Sequence, residues 1–270
     1  TSFDTDGFTL DSGTTSNASG ETFVAWNWKA GTSFSNDASS TSVGSIDSAG
    51  SVSTDAGFSI ISFTDGGSNA TIAHGLGVVP KVIIIKNRGE TEGWYSYWQP
   101  LGNDKQLRLS STAAVADAGS MWNDTTPTSS VFSLDTDTAG LSSGAYIAYC
   151  FAEKKGYSKF GSYVGNGNVS GSYIHLGFKP AYLLVKSTAT NDWIQMDTKR
   201  STFNVSNAAL YPNGADADSP NSIYNQDILS NGFKARTTHG RLNGSGVTYI
   251  YMAFAENPFV TSTGVPATAR

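Results

Sequence analysis

Two stretches about one hundred residues apart carry the same landmarks in the same order, and any fold for this chain has to accommodate that repetition. Gly57-Phe58-Ser59 is matched by Gly156-Tyr157-Ser158, and Leu76-Gly77-Val78-Val79-Pro80 by Leu176-Gly177-Phe178-Lys179-Pro180. Val82-Ile83-Ile84-Ile85-Lys86 is matched by Tyr182-Leu183-Leu184-Val185-Lys186, and Trp94 by Trp193. A second signature recurs as a Phe-centred strand, a turn, and then a strand of aromatic and β-branched residues. It joins Asp6–Leu10 to Thr22–Trp28, Val131–Leu134 to Ala145–Glu153, and Asn231–Phe233 to Thr248–Glu256. Residues 1 to 30 hold only the closing half of this pattern, so the chain is expected to start inside a repeat, with further repeats or another domain upstream.

The apolar runs alternate with the two-residue period of half-buried strands, and Val, Ile, Tyr, Phe and Trp dominate them. Only 14% of residues are charged, while Gly, Ser, Thr, Asn and Asp are plentiful, a mix that suits short strands and tight turns. Helical patterning is confined to Ser111–Ala118 and Asn207–Tyr211, a turn or two inside loops. The expected fold is therefore all-β: antiparallel β-sandwiches with an internal duplication of about 100 residues. The expected divisions are 1–56 (the closing half of an upstream repeat plus a polar segment), 57–155 (repeat 1), 156–260 (repeat 2) and 261–270 (a tail). Within the first, Gly31–Ala56 reads as a linker or surface excursion. Asn204–Asn225 reads as a long polar loop, functional or mobile.

A net charge of −5 with scattered Lys and Arg gives no basic face for nucleic acid. The longest apolar runs are too short to span a bilayer as a helix, so no membrane insertion is expected. No signal peptide is visible, but the first residue is Thr, so a targeting segment could have been removed. The one cysteine, Cys150, lies in an apolar run and reads as a buried, inert thiol; disulfides cannot hold the fold together. His74, His175 and His239 have no metal-ligand spacing, and the first two precede the equivalent Leu-Gly turns, which suggests a turn or packing role. No Gly-x-Ser-x-Gly elbow stands between a strand and a helix. The carboxylate pairs Asp135/Asp137 and Asp216/Asp218 lie in turn-like segments and read as solvated loop acids. No cofactor is expected; calcium, which takes oxygen ligands from flexible loops, is the one option kept open.

Aromatic side chains are the more suggestive set, because sugar rings dock through apolar faces on flat side chains. Trp94, Tyr95, Tyr97 and Trp98 crowd one hairpin and Trp193 repeats the motif, so these five are the candidate ligand-binding residues. Alternation puts Trp94 and Trp98 on one side of the strand and Tyr95 and Tyr97 on the other, one set facing the core and the other free to face outwards.

Several of these strings occur together: Phe23–Gly31, His74-Gly75-Leu76-Gly77, Tyr146–Ala152, Gly156–Tyr163 and Tyr249–Phe259. In combination they resemble an uncharacterised domain that recurs at the C-terminal ends of structural proteins of marine bacteriophages, over nearly the whole chain. The resemblance implies an extracellular or virion location as a tail-fibre, appendage or capsid-decorating part, with other virion proteins as partners and no catalytic residue. Self-association is expected, with a trimer as the first guess. The alternative is a carbohydrate- or receptor-binding module for host attachment, with a host surface glycan as partner.

Overall fold

A computed structural model describes residues 2–4, 7–119, 121–135 and 141–256. The tail 261–270, Asp137 and Asn257–Phe259 lie outside the described residues. From the N-terminus, β1 (Ser2–Phe3) and β2 (Phe8–Thr9) pair with each other, and then β3 (Thr32–Asn36), β4 (Ser48–Ser53) and β5 (Phe58–Asp65) form an antiparallel meander. After β6 (Ala70–Ala73), a second meander runs through β7 (Val82–Asn87), β8 (Tyr95–Trp98), β9 (Lys105–Arg108) and β10 (Ala116–Asp117). β11 (Val131–Leu134) pairs with β6, and β12 (Gly144–Phe151) returns between β5 and β7. The result is an eight-stranded sheet in the order β10-β9-β8-β7-β12-β5-β4-β3, faced by the β11-β6 pair.

The second half contains β13 (Ser158–Val164), β14 (Tyr173–His175), β15 (Pro180–Ser187), β16 (Ile194–Asp197), β17 (Ala208–Ala209), β18 (Ser219–Pro220), β19 (Gln226–Leu229), β20 (Gly232–Ala235) and β21 (Thr248–Ala255). Its main sheet has the order β13-β21-β15-β16, faced by β14-β20-β19, while β17 and β18 pair with each other. The order β5-β12-β7-β8 in the first half is thus matched by β13-β21-β15-β16 in the second, in the same chain sequence. Gly77 and Gly177 both have positive φ, 69° and 85°, in the matched Leu-Gly turns, where a side chain would strain the backbone.

Alternation along the strands shows how the layers stack. Tyr146, Ala148 and Cys150 of β12 join Ile72 and Phe132 in one core, and Tyr249, Tyr251 and Ala253 of β21 join Phe233 and Ile174 in another. The intervening residues, Phe151 on β12 and Ile250, Met252 and Phe254 on β21, meet in a third core between the two main sheets, with Phe58, Val82, Ile84, Trp98, Leu184 and Trp193. The molecule is a four-layer antiparallel β stack, and its middle strands are buried on both faces.

That double burial corrects the expectation of half-buried strands: Val82–Ile85 and Leu183–Val185 are continuously apolar because neither face meets water. Gly31–Ala56 is not a linker, for it supplies β3 and β4, and Phe34, Ile46 and Val52 give it the one apolar face an outer strand needs. Thr22–Trp28 shows the alternation of a strand, with Trp26 and Trp28 turned inward, but it pairs with no strand among the described residues and runs as an extended strap. Ser111–Ala118 and Asn207–Tyr211 are not helical; they contain β10 and β17. Asn204–Asn225 is folded into the second half, with Ala209 and Tyr224 in its core.

Candidate functional site

The five candidate aromatics separate as alternation requires, but both sides are covered. Tyr95 and Tyr97 point into the first-half core, where Tyr97 meets Trp122 edge-on at 5.8 Å. Trp98 and Trp193 are 1% and 0% exposed, and their rings pack 5.7 Å apart across the central layer. The Trp193 indole N–H donates to the Arg108 carbonyl at 2.9 Å, and the Trp98 indole to Ser96 Oγ at 3.0 Å. Tyr95, Tyr97, Trp98 and Trp193 therefore have no ring face for a sugar, because the second half covers the side of β8 that was expected to be free. Trp94 alone is half-buried, and it leans against Tyr149 at 6.0 Å.

Trp94 also lines a cavity of about 340 Å³ between the two main sheets. Ile60, Ile84 and Tyr149 of the first half face Tyr182, Leu184 and Met252 of the second across it. Trp28, on the unpaired strap, closes one side through edge contacts to Tyr182 and Phe254 at 5.3 and 5.4 Å. The lining is almost wholly apolar. Gln195 is the exception: it sits on the same face of β16 as Trp193 and opposite Leu184 in the ladder, so its side chain points into the central layer. Trp28, Tyr149, Tyr182 and Gln195 were not among the sequence candidates. The signal that could have found them is the unbroken apolarity of the matched strands, which requires a partner on both faces.

A second concavity is polar and wide, about 720 Å³, over the part of the eight-stranded sheet that the four-stranded sheet leaves bare. Exposed Ala49, Ser62, Thr64 and Ala145 form its floor, and Asp37, Asp47 and Arg88 its walls. The Asp37 carboxylate accepts from Ser39 Oγ at 2.7 Å and Ser40 Oγ at 3.0 Å, and these bonds hold its pKa below the usual carboxylate range. Asp47 Oδ1 accepts from the Ala38 backbone N–H at 2.9 Å.

The remaining chemistry-bearing groups are occupied in the fold. His74 is buried; its Nδ1 accepts from the Leu76 N–H at 3.2 Å and its Nε2 lies 3.2 Å from the Thr128 carbonyl, so the ring is the neutral Nε2–H tautomer and burial lowers its pKa. His175 is exposed, with Nδ1 3.1 Å from the Tyr173 hydroxyl, so the two matched histidines do different local work. Burial pushes the Cys150 thiol up to about 12, which leaves it protonated at neutral pH. Asp216 and Asp218 are exposed loop acids, and Asp218 is 3.1 Å from the Arg200 guanidinium, which also pairs with buried Asp197 at 2.7 Å. Asp192 pairs with Arg241 at 2.8 Å, and Arg241 also donates to the Tyr224 hydroxyl. Among the described residues no group of three or more His, Cys, Asp or Glu side chains converges, and no helix is long and apolar enough to cross a membrane.

In comparisons with known proteins, the family described as Domain of unknown function (DUF7483) matches residues 1–258. No curated protein and no solved structure matches the chain.

Proposed function

We propose, for a chain that belongs to the family described as Domain of unknown function (DUF7483), a non-catalytic structural role in a virion, as part of a tail fibre, an appendage or a capsid decoration. The observation that carries this reading is the central apolar layer, which locks two sheets of matched strand order face to face and makes a stiff block from two short modules. The matched strand order also supports an internal duplication. The described histidines, the thiol and the best-formed acid–base pairs serve turns and packing, which supports a role without catalysis. The resemblance of the Phe23–Gly31, Tyr146–Ala152 and Tyr249–Phe259 strings to marine phage structural proteins supports the virion setting.

Antibody labelling of purified phage particles that encode the chain tests this placement. Decoration of the tail or capsid is expected, whereas antigen found only in the particle-free lysate would overturn it. Light scattering on the purified domain tests self-association: a trimer or larger ring is expected, and a concentration-independent monomer removes that part of the proposal.

The second reading, attachment to a host glycan, is favoured by the polar concavity, whose hydroxyls, carboxylates and guanidinium suit sugar hydroxyls. It lacks an outward aromatic platform. A glycan array decides it: binding lost on Arg88→Ala supports attachment through this face, and an array with no hits leaves the structural role alone.

A further inference from the structure

We propose that the cavity between the two main sheets is a binding site for a small, flat, largely apolar molecule that carries one hydrogen-bonding group. Its volume of about 340 Å³ falls within the range of small-molecule sites. It is also roughly ten times the share of one water in the liquid, far beyond a packing defect. The site is a cleft open to solvent on one side, and water gains little along its apolar walls because it finds almost no polar partners there.

Gln195 supplies the independent observation. It is 8% exposed and lines the cavity, and its carboxamide is not among the side-chain groups shut off from solvent without a partner, so it faces the open space of the site. Between Ile194 and Met196, which face the outer core, this amide is, among the described residues, the one polar side chain turned into an otherwise apolar lining, where it offers a donor and an acceptor to a ligand oxygen or N–H. The shape of the lining defines the rest of the ligand. Trp28, Trp94, Tyr149 and Tyr182 offer flat surfaces, and among the described residues no charged side chain lines the cavity. A sugar would strand most of its hydroxyls against Ile60, Ile84, Leu184 and Met252, and a carboxylate or phosphate would meet no cation. Trp28 and Trp94 are half-buried and belong to the strap and to the start of the β8 hairpin, so they stand at the solvent side of the site.

Nuclear magnetic resonance titration with 2-naphthol, using naphthalene as the ligand without a hydroxyl, tests the proposal on the full chain. Saturable binding with Kd below about 1 mM is expected. The shifts should concentrate on the indole N–H groups of Trp28 and Trp94 and on the side-chain amide of Gln195. Gln195→Leu is expected to weaken 2-naphthol by roughly three- to tenfold and to leave naphthalene unchanged or tighter, as the loss of one hydrogen bond requires. Ile60→Trp fills the cavity and is expected to abolish binding of both; if it does not fold, Leu109→Trp fills the same space from a loop position. Absence of saturable shifts up to the solubility limit of 2-naphthol would overturn the proposal. So would shifts confined to other residues, or binding indifferent to Gln195→Leu and to the filling variant.

Discussion

Lys186 has no exposed surface, yet its ammonium is held by two carbonyls of the turn that follows it, Ser187 O at 2.8 Å and Ala189 O at 2.7 Å. Its counterpart Lys86 donates to the carbonyls of Asn87 and Glu90 in the same way, so the matched lysines close matched hairpins. Burial lowers the Lys186 pKa from 10.5 to about 8, with the Asp192 charge opposing the shift. A base with a depressed folded-state pKa is protonated more readily in the unfolded chain. Between pH 8 and 10 the unfolded state therefore holds more protons at this group, and its contribution to stability rises with pH. The rise is on the order of 2 kcal/mol. From about pH 9 upward other groups pull the opposite way, because the Cys150 thiol and buried phenols such as Tyr251, both pushed up to about 12 by burial, keep their protons in the fold while the unfolded chain ionises. Denaturant titrations at pH 8, 9 and 10 should show the native protein gaining stability relative to Lys186→Met as pH rises, by on the order of 2 kcal/mol across the window; a constant difference between the two would show that Lys186 is not the group responsible. The match of Lys86 with Lys186 is legible in the sequence. Its meaning is not, since a lysine after four apolar residues reads as the solvated end of a strand until the second sheet is laid over it.

Strands β3 and β4 show where sequence patterning loses its grip. Their residues are mostly Ser, Ala, Gly and Asn, a composition that suits a linker as well as a strand whose outer face is bare. What makes them a sheet is close approach. A Cβ on Gly50 would lie 1.8 Å from the Ile60 carbonyl oxygen, so only glycine lets β4 reach its pairing distance from β5. Gly50→Ala is expected to cost about 3 kcal/mol, the range of substitutions that force backbone apart, whereas Gly66→Ala, whose Cβ would have nothing within 4 Å, should be neutral within about 0.5 kcal/mol. Chemical denaturation of the two variants checks the contrast, and equal stabilities would mean that β4 does not pack against β5 in this register. The strap at Thr22–Trp28 teaches the converse. Its period of two is real, but the period records which side chains face the core and not whether the backbone has a ladder partner, so the same signal that identifies β12 and β21 overstates this segment.

At the scale of the molecule, what the repeated strings could not disclose is that the two halves use their second faces on each other. The candidate site followed from the same gap: Trp94 and Trp193 were recognisable as matched aromatics, with Trp98 in the same hairpin as Trp94, but the burial of Trp98 against Trp193, and the cavity that Trp94 lines, exist only because one sheet covers the other. The central layer joins Phe58, Val82 and Phe151 to Phe160, Leu184 and Phe254, and Phe151 alone contacts the rings of Phe160 and Phe254 at 6.1 and 6.0 Å. Separating the halves would expose this whole apolar layer, so neither half should open globally while the other stays folded. Leu242 tests the coupling because it is fully buried in the outer core of the second half, away from the central layer. Leu242→Ala is expected to cost about 2 to 5 kcal/mol. If the halves form one cooperative unit, hydrogen exchange at the Ile61 and Ile83 amides in the first half should lose protection by that same free energy. If those amides keep their native protection while second-half amides lose theirs, the two halves unfold independently and the stiff block on which the structural role rests is absent.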